Sequence, residues 1–279
     1  MTRYLVYDVF AEAPFEGNQL AVIPAADTLP EAALQQVARE FNFSETTFVY
    51  PPEDPAHSAR VRIFTPTMEV PFAGHPTIGT AVALVEAGLG PEMVLELGIG
   101  PLPAHAAQGA ARFTTAAPLE VLAYPEPALV ARALGLPGDR IVTTRNPPVM
   151  ASVGLPFTLT ELADRAALSA CRPDTAAFEA GRDAYPGALD FAQYAYVRDG
   201  AAVHARMFAP LDQIPEDPAT GSAAAALAAY LAQDERPLRL SLRQGEDMGR
   251  PSLIGLEADG RSVTVSGGAR RIMEGRLLL

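Results

Sequence analysis

"RVRIFTPTMEVPFAGHPTIGTAVALVEAG", residues 60–88, and "HARMFAPLDQIPEDPATGSAAAALAAYLA", residues 204–232, decide the reading of this chain, because the second repeats the first. Arg62, Phe64, Pro66 and Pro71 stand opposite Arg206, Phe208, Pro210 and Pro215. After a short gap, Pro76, Gly79, Thr80 and Ala81 stand opposite Pro218, Gly221, Ser222 and Ala223. Each copy opens with an alternating apolar strand, 61–64 or 203–208, and passes a proline-marked loop. Each then enters a helix that is small or apolar on nearly every side. A helix of that kind has to be buried. The pattern predicts proline at the first helical position in both copies, with His75 or Asp217 as the N-cap before it. Gly88, followed by Pro91, ends the first helix.

Short strand-like segments flank both helices. They fall at 4–10, 19–24, 47–50, 61–65, 93–97 and 111–115 in the first half. In the second they fall at 141–144, 149–154, 193–198, 203–208, 238–243, 251–257 and 261–266. Two amphipathic helices are predicted, at 30–41, with Leu34, Val37, Ala38 and Phe41 on one face, and at 160–169. The fold class is therefore α+β, two similar halves each wrapping a sheet around one central helix. The proline-rich stretch 118–127 marks the boundary. It gives an N-terminal half of 1–118, completed by a C-terminal strand at 268–279, and a C-terminal half of 119–267.

Composition narrows the function. The 279 residues are 49% hydrophobic and 19% charged, which suits a globular protein with a sizeable core. The formal charge of −12 and the lack of a basic stripe argue against nucleic acid. All 21 basic residues are Arg, so there is no lysine for a Schiff base or a phosphate loop. Cys171 is the only thiol, which excludes a disulfide framework and a cysteine metal cluster. His57, His75, His105 and His204 lack metal-ligand spacing, and the neighbourhoods of His57 and His105 read as loop. We expect no metal and no cofactor. No stretch approaches the roughly 20 apolar residues of a membrane span, and the start has no leader pattern, so a cytoplasmic location is expected.

Two repeated halves normally meet about a pseudo-twofold axis. If both helix starts face it, their free N–H groups form an anion-binding cleft in an otherwise acidic chain. Gly74, Gly79 and Gly221 would then allow close approach of a ligand to backbone.

The motifs "VYDVFAEAPFEGNQLAV" (6–22), "SETTFV" (44–49), "VPFAGHPTIGTA" (70–81), "EDPATGSAAAAL" (216–227) and "QGEDMGRPS" (244–252) occur in order over nearly the whole chain. Together they resemble the phenazine-biosynthesis PhzF-like isomerase family, within the diaminopimelate epimerase-like fold. The resemblance implies two pseudo-symmetric halves, each a β-barrel-like sheet around a central helix, with the active site between them. It also implies cofactor-independent proton transfer on a small anionic substrate, and a homodimer.

Residue by residue, Glu45 matches the family's catalytic glutamate, in a setting where partial burial would suit an acid/base. His75 matches the "GH" pair and would orient substrate or relay a proton. Asp217 is an N-cap by its own pattern and a site carboxylate by resemblance. Gly221 and Ser222 would offer an N–H and a hydroxyl to a substrate carboxylate. Gly74, Asn18 and Ser44 are further substrate-contact candidates. Gln244, Gly245 and Arg250 read as framework. Ala73 and Pro76 depart from the family's best-known members, which leaves specificity open.

Epimerase relatives of the fold use two thiols. Here Ala73 stands where the first would fall, and Cys171 lies in no motif. Isomerisation by a carboxylate therefore fits better than two-thiol stereoinversion. A non-thiol amino- or hydroxy-acid epimerase or racemase, and a catalytically silent anion-binding protein, remain as alternatives.

Overall fold

The computed structural model describes residues 1–187 and 189–279, which divide into two units. The first comprises Met1–Thr115 with Thr264–Leu279, and the second Ala116–Val263.

In the first unit the strands are β1 (Thr2–Val9), β2 (Asn18–Ile23), β3 (Glu45–Tyr50), β4 (Ala59–Phe64), β5 (Glu69–Val70), β6 (Glu92–Leu97), β7 (Gly100–Ala107) and β8 (Ala110–Thr115). A long C-terminal strand, Val263–Leu277, pairs with β1 on one edge and β8 on the other. Pairing then runs β1–β2 antiparallel, β2–β3 parallel, β3–β4 antiparallel, β4–β6 parallel, and β6–β7 and β7–β8 antiparallel. The eight strands close into a barrel, with β5 added on β4. A closed sheet leaves no edge to pair with another chain.

The barrel is filled by a helix, Gly74–Glu86, in which every residue from Gly74 to Leu84 is buried. Its apolar composition leaves it no solvent face, and the barrel supplies contact on all sides. Thr80 Oγ1 donates to Thr47 Oγ1 at 3.0 Å, fixing the helix against β3. Gly88 N bonds Val85 O and Leu89 N bonds Leu84 O, which ends the helix where the sequence predicts. A helix at Glu31–Phe41 crosses between the parallel strands β2 and β3 outside the barrel. It lays Leu34, Val37 and Ala38 on Ile23, Phe48 and Phe64, as its periodicity predicts. In chain order these two helices are α1 (31–41) and α2 (74–86).

The second unit repeats the plan with β9 (Glu120–Ala123), β10 (Val149–Ser152), β11 (Pro156–Glu161), β12 (Gln193–Asp199), β13 (Ala202–Ala209), β14 (Ile214–Asp217), β15 (Leu238–Gln244) and β16 (Ser252–Ala258). The senses from β10 to β16 match those from β1 to β7: antiparallel, parallel, antiparallel, antiparallel for the short strand, parallel, antiparallel. The shared sequence motif thus reports a shared topology. Three outer helices follow, α3 (Pro127–Ala133), α4 (Arg165–Ala170) and α5 (Thr175–Ala184), and the central one is α6 (Gly221–Leu231). The outer three cover the sheet with a core that includes Val130, Leu168, Phe178, Phe191 and Phe208.

Several expectations need correction. The helix expected at 160–169 begins at Arg165, because 156–161 form β11, buried at every position and so without alternation. Asp164 caps α4 by accepting from Ala167 N at 2.8 Å. Residues 141–144 form no strand beyond one bridge, Ile141 to Leu162. His105 lies on β7 rather than in a loop, 2.7 Å from Glu92. The stretch 118–127 contains β9 as well as connection.

Candidate active site

The N-terminus of α2 is the focus of the first unit. Ala73 is the N-cap, in extended conformation, so Gly74, His75 and Pro76 are the first three helical residues. His75 is therefore not the cap that its position before proline predicts. Pro76 sits within the first turn, where its missing N–H costs nothing. The amides of Gly74 and His75 have no partner within the helix, since the ladder starts with Thr77 N to Ala73 O at 3.3 Å.

Strand register brings the other groups to this helix start. β1 ends at Val9 opposite Asn18, and β2 and β3 run parallel with Leu20 beside Glu45. The first residues of β2 and β3 therefore lie at one end of the barrel. There Glu45 Oε2 is 3.4 Å from His75 Nδ1, with the side chains 17% and 4% exposed respectively. Asn18 Nδ2 is also 3.4 Å from His75 Nδ1, and Ser44 Oγ donates to Asn18 Oδ1 at 3.4 Å. Asn18, Ser44, Glu45, Gly74 and His75, five predicted site residues, thus gather within one unit.

The imidazole is tuned by burial. With the ring 3% exposed, desolvation pushes its pKa well below the usual histidine value, and the Gln19 backbone only partly opposes this. The ring is neutral near pH 7. Its Nε2 is buried with no hydrogen bond of normal geometry. Nδ1 faces both an amide donor and a carboxylate, so one nitrogen serves two neighbours. It donates to Glu45 when it carries the proton and accepts from Asn18 when it does not.

The loop from β1 to β2 is held firmly above these strands. Asp8, 2% exposed, accepts from Phe15 N at 2.7 Å, and Glu16 accepts from Ala13 N at 2.9 Å. Gly17 has φ +63°, and an added Cβ would stand 2.2 Å from Val9 O, so only glycine fits there.

In the second unit Asp217 ends β14, and the helix begins four residues later with Thr220 as N-cap. Asp217 is thus not the N-cap, and Pro218 is not the first helical residue. The carboxylate, 4% exposed, instead accepts from Thr220 Oγ1 at 2.6 Å. Gln244 binds the whole turn. Its Nε2 donates to Asp217 O at 2.7 Å and Thr220 Oγ1 at 2.9 Å, while its Oε1 accepts from Thr220 N and from Tyr194 OH. Burial first, and the charge of Asp217 second, push the Tyr194 phenol far up, so it remains a donor. Gly221 and Ser222 are the first two residues of α6, and their amides precede the first ladder bond, Ala224 N to Thr220 O.

Gln244 and Gly245 serve the framework reading. Gly245, at φ +76°, brings its Cα against Arg250 O and Pro218 O, where a Cβ would stand 2.3 and 2.7 Å away. Thr220 and Tyr194 were missed. Thr220 was legible as a hydroxyl three residues after Asp217, a local turn pattern, but Tyr194 is distant in sequence and carried no signal. Gly79 does not open backbone to a ligand. Its missing Cβ is space filled by Leu20 and Val9, so it serves helix packing.

Cys171 is fully buried as the C-cap of α4, and burial pushes its thiol up to about 12. Among the described residues no group of three or more His, Cys, Asp or Glu is placed to hold a metal. Among the described residues no helix is long and apolar enough to cross a membrane.

A family model for phenazine biosynthesis-like proteins, PhzC-PhzF, matches residues 7–275. The chain belongs to the PhzF family. An uncharacterised isomerase of Mesorhizobium japonicum is 38% identical over 306 residues, covering 99% of each chain. The trans-2,3-dihydro-3-hydroxyanthranilate isomerase of Pseudomonas aeruginosa is 36% identical over 293 residues, covering 100% of each. The crystal structure of a PhzF-family phenazine biosynthesis protein from Bacillus anthracis matches with a TM-score of 0.87 at 23% identity, over 100% of this chain and 99% of that one. This PhzF-family chain is an isomerase acting on a small metabolite, with the α+β fold of its structural relatives.

Proposed function

We propose that this PhzF-family isomerase moves a proton on a small carboxylated, unsaturated metabolite, with Glu45 as the acid/base and no cofactor. The observation that carries the reading is the 3.4 Å approach of Glu45 to a buried histidine at the start of α2. As a carboxylate, Glu45 accepts a proton from substrate carbon while His75 Nδ1–H supports the negative oxygen. Glu45 holds that proton beside His75 and Asn18 and returns it at another carbon. His75 is a positioning group in this scheme, keeping its proton on Nδ1 throughout. The unpaired amides of Gly74 and His75 suit the substrate carboxylate.

Asp217, Gly221 and Ser222 are proposed as the second unit's contribution to substrate binding, on the strength of the motif resemblance. Thr220 bonds the Asp217 carboxylate and Gln244 its carbonyl, which fixes its orientation. A homodimer in the cytoplasm completes the proposal; sedimentation velocity tests the dimer. The buried, high-pKa Cys171 supports a carboxylate over a thiol mechanism.

The test incubates wild type and Glu45→Gln with small unsaturated carboxylates in D₂O, including trans-2,3-dihydro-3-hydroxyanthranilate, and follows them by NMR. Double-bond migration in wild type alone supports the proposal. Deuterium at a stereocentre with loss of chirality supports an epimerase instead, and binding without turnover a silent binder. Equal turnover by both proteins removes Glu45 from the chemistry.

A further inference from the structure

A pocket of about 420 Å³ lies wholly within the second unit, beside the last turn of α6. Pro118, Leu119 and Val263 give it apolar walls, and Gln233, Arg236 and Arg261 give it a polar side. The start of α6 carries Gly221 and Ser222, and this pocket is at the other end, about 16 Å away along the helix. It is distinct from the groups assigned to the isomerase reaction, and nothing in that reading depends on it.

Among the described residues at least eleven of the 21 arginines form ion pairs with carboxylates, among them Arg62 with Glu31 and Glu69, and Arg206 with Glu216. Among the described residues, neither Arg236 nor Arg261 has a carboxylate within ion-pair distance. Arg236 is nevertheless fixed in place. Its Nε donates to Ala232 O at 2.5 Å, and its guanidinium packs against Gly260, where a Cβ would stand 2.6 Å from Cζ. With Nε committed, the two terminal nitrogens form a fork that does not need to be ordered on binding.

The nearby acid is already occupied. Asp259 accepts from Arg261 N and Ser262 N, both at 2.8 Å, and from Ser262 Oγ at 3.3 Å. These bonds hold its pKa below the usual carboxylate range, so it caps a turn instead of pairing with a guanidinium. The C-terminal carbonyls of α6, which would repel an anion, are covered too. Ala232 O takes Arg236, Leu231 O takes Asp234 N and Glu235 N, and Tyr230 O takes Gln233 N.

We propose that this pocket is a second anion-binding site. It takes a small organic acid or phosphate monoester, its oxyanion head on Arg236 and Arg261 and its apolar body against Pro118, Leu119 and Val263. In a chain of net charge −12, two guanidiniums without a carboxylate partner that line one pocket with an apolar wall match the chemistry of such a ligand.

The full-length protein is titrated with phenyl phosphate, benzoate, inorganic phosphate and phenol. Binding is measured by calorimetry, and the arginine Nε–H signals are followed by NMR. Phenyl phosphate or benzoate is expected to bind and to move the Arg236 and Arg261 signals, and phenol is expected to do neither. Which of the two acids binds more tightly identifies the head group. Arg236→Gln and Arg261→Gln should each weaken binding at least about tenfold, the loss of one charge-assisted contact. Glu45→Gln should leave it unchanged. Arg261→Gln keeps the test valid if Arg236→Gln fails to fold, because Arg261 is exposed and its turn is held by its backbone N–H, which Gln keeps. The proposal is overturned if millimolar probe moves neither arginine, if Arg261→Gln binds like wild type, or if Glu45→Gln abolishes binding.

Discussion

The two units share strand order and pairing sense, yet they hold the turn before the central helix in different ways. In the first, the helix begins at Gly74 and takes His75 into its first turn, facing Glu45 and Asn18. In the second, the equivalent carboxylate stays outside the helix, tied to Thr220 and held through its carbonyl by Gln244. One scaffold therefore carries two electrostatic designs. The first sets a neutral, buried imidazole against a carboxylate and suits a moving proton. The second holds Asp217 within a fixed hydrogen-bond network and suits binding.

The sharpest break in this comparison is catalytic. Glu45→Gln should lower kcat by about 10²–10⁴, the usual value of a positioned acid/base, with little change in KM. Asp217→Asn, which keeps the Thr220 bond, should act mainly on KM. Steady-state kinetics on both variants check this; an equal or larger kcat loss for Asp217→Asn would reverse the assignment of roles.

The repeated arginines give the next largest contrast. Arg206 is 6% exposed, bonds Glu216 through Nε and Nη2, lies over the Phe208 ring at 4.8 Å, and reaches Leu168 O and Cys171 O. Arg62 makes the matching contacts to Glu31, Glu69 and the Phe64 ring, but with its side chain 22% exposed. Removing one partner of a buried pair strands the other, so Arg206→Ala should cost about 3–5 kcal/mol. Arg62→Ala should cost about 1 kcal/mol or somewhat more, since water replaces much of its pairing. Urea unfolding of the two variants measures the difference.

Smaller again are the glycines that shape each turn. Gly17→Ala and Gly245→Ala each force a Cβ onto a carbonyl at positive φ, and each should lower stability by about 1–3 kcal/mol. Because Gly17 adjoins Asn18 and Gly245 adjoins Pro218, the first should disturb turnover and the second affinity, which activity assays on the folded fractions resolve.

The smallest effect is acid sensitivity. His75 has an ordinary value of 6.5 when unfolded and a lower one in the fold, so below pH 6.5 the unfolded chain binds the extra proton first. Stability from this group is complete above pH 6.5 and falls as pH drops toward the folded value. His75→Gln should flatten the stability profile over that acid range, relative to wild type, in thermal melts recorded across pH.

Much of this was legible in the sequence. The Arg-x-Phe strands and the small-residue helices announced a repeat, and their all-apolar faces announced burial. Asn18, Ser44, Glu45, Gly74 and His75 were gathered by motif, and barrel register explains why residues so far apart in sequence meet. The starts of the two central helices were misplaced by two and three residues, because X-Pro before an apolar run reads as a cap whether or not the backbone has turned. β11 was missed because it is buried on both faces and has no period. β7, "GPLPAHAA", was hidden by its prolines, and there pairing across the barrel overrides local preference.

The central claim, that Glu45 beside His75 moves the proton, is tested most directly by one rate ratio. Trans-2,3-dihydro-3-hydroxyanthranilate, or whichever carboxylate of the panel wild type converts fastest, is followed by NMR in D₂O with wild type and Glu45→Gln at equal concentration. The account predicts a rate at least about a hundredfold lower for Glu45→Gln with its fold intact by circular dichroism. Conversion by Glu45→Gln within a factor of about two of wild type would contradict it.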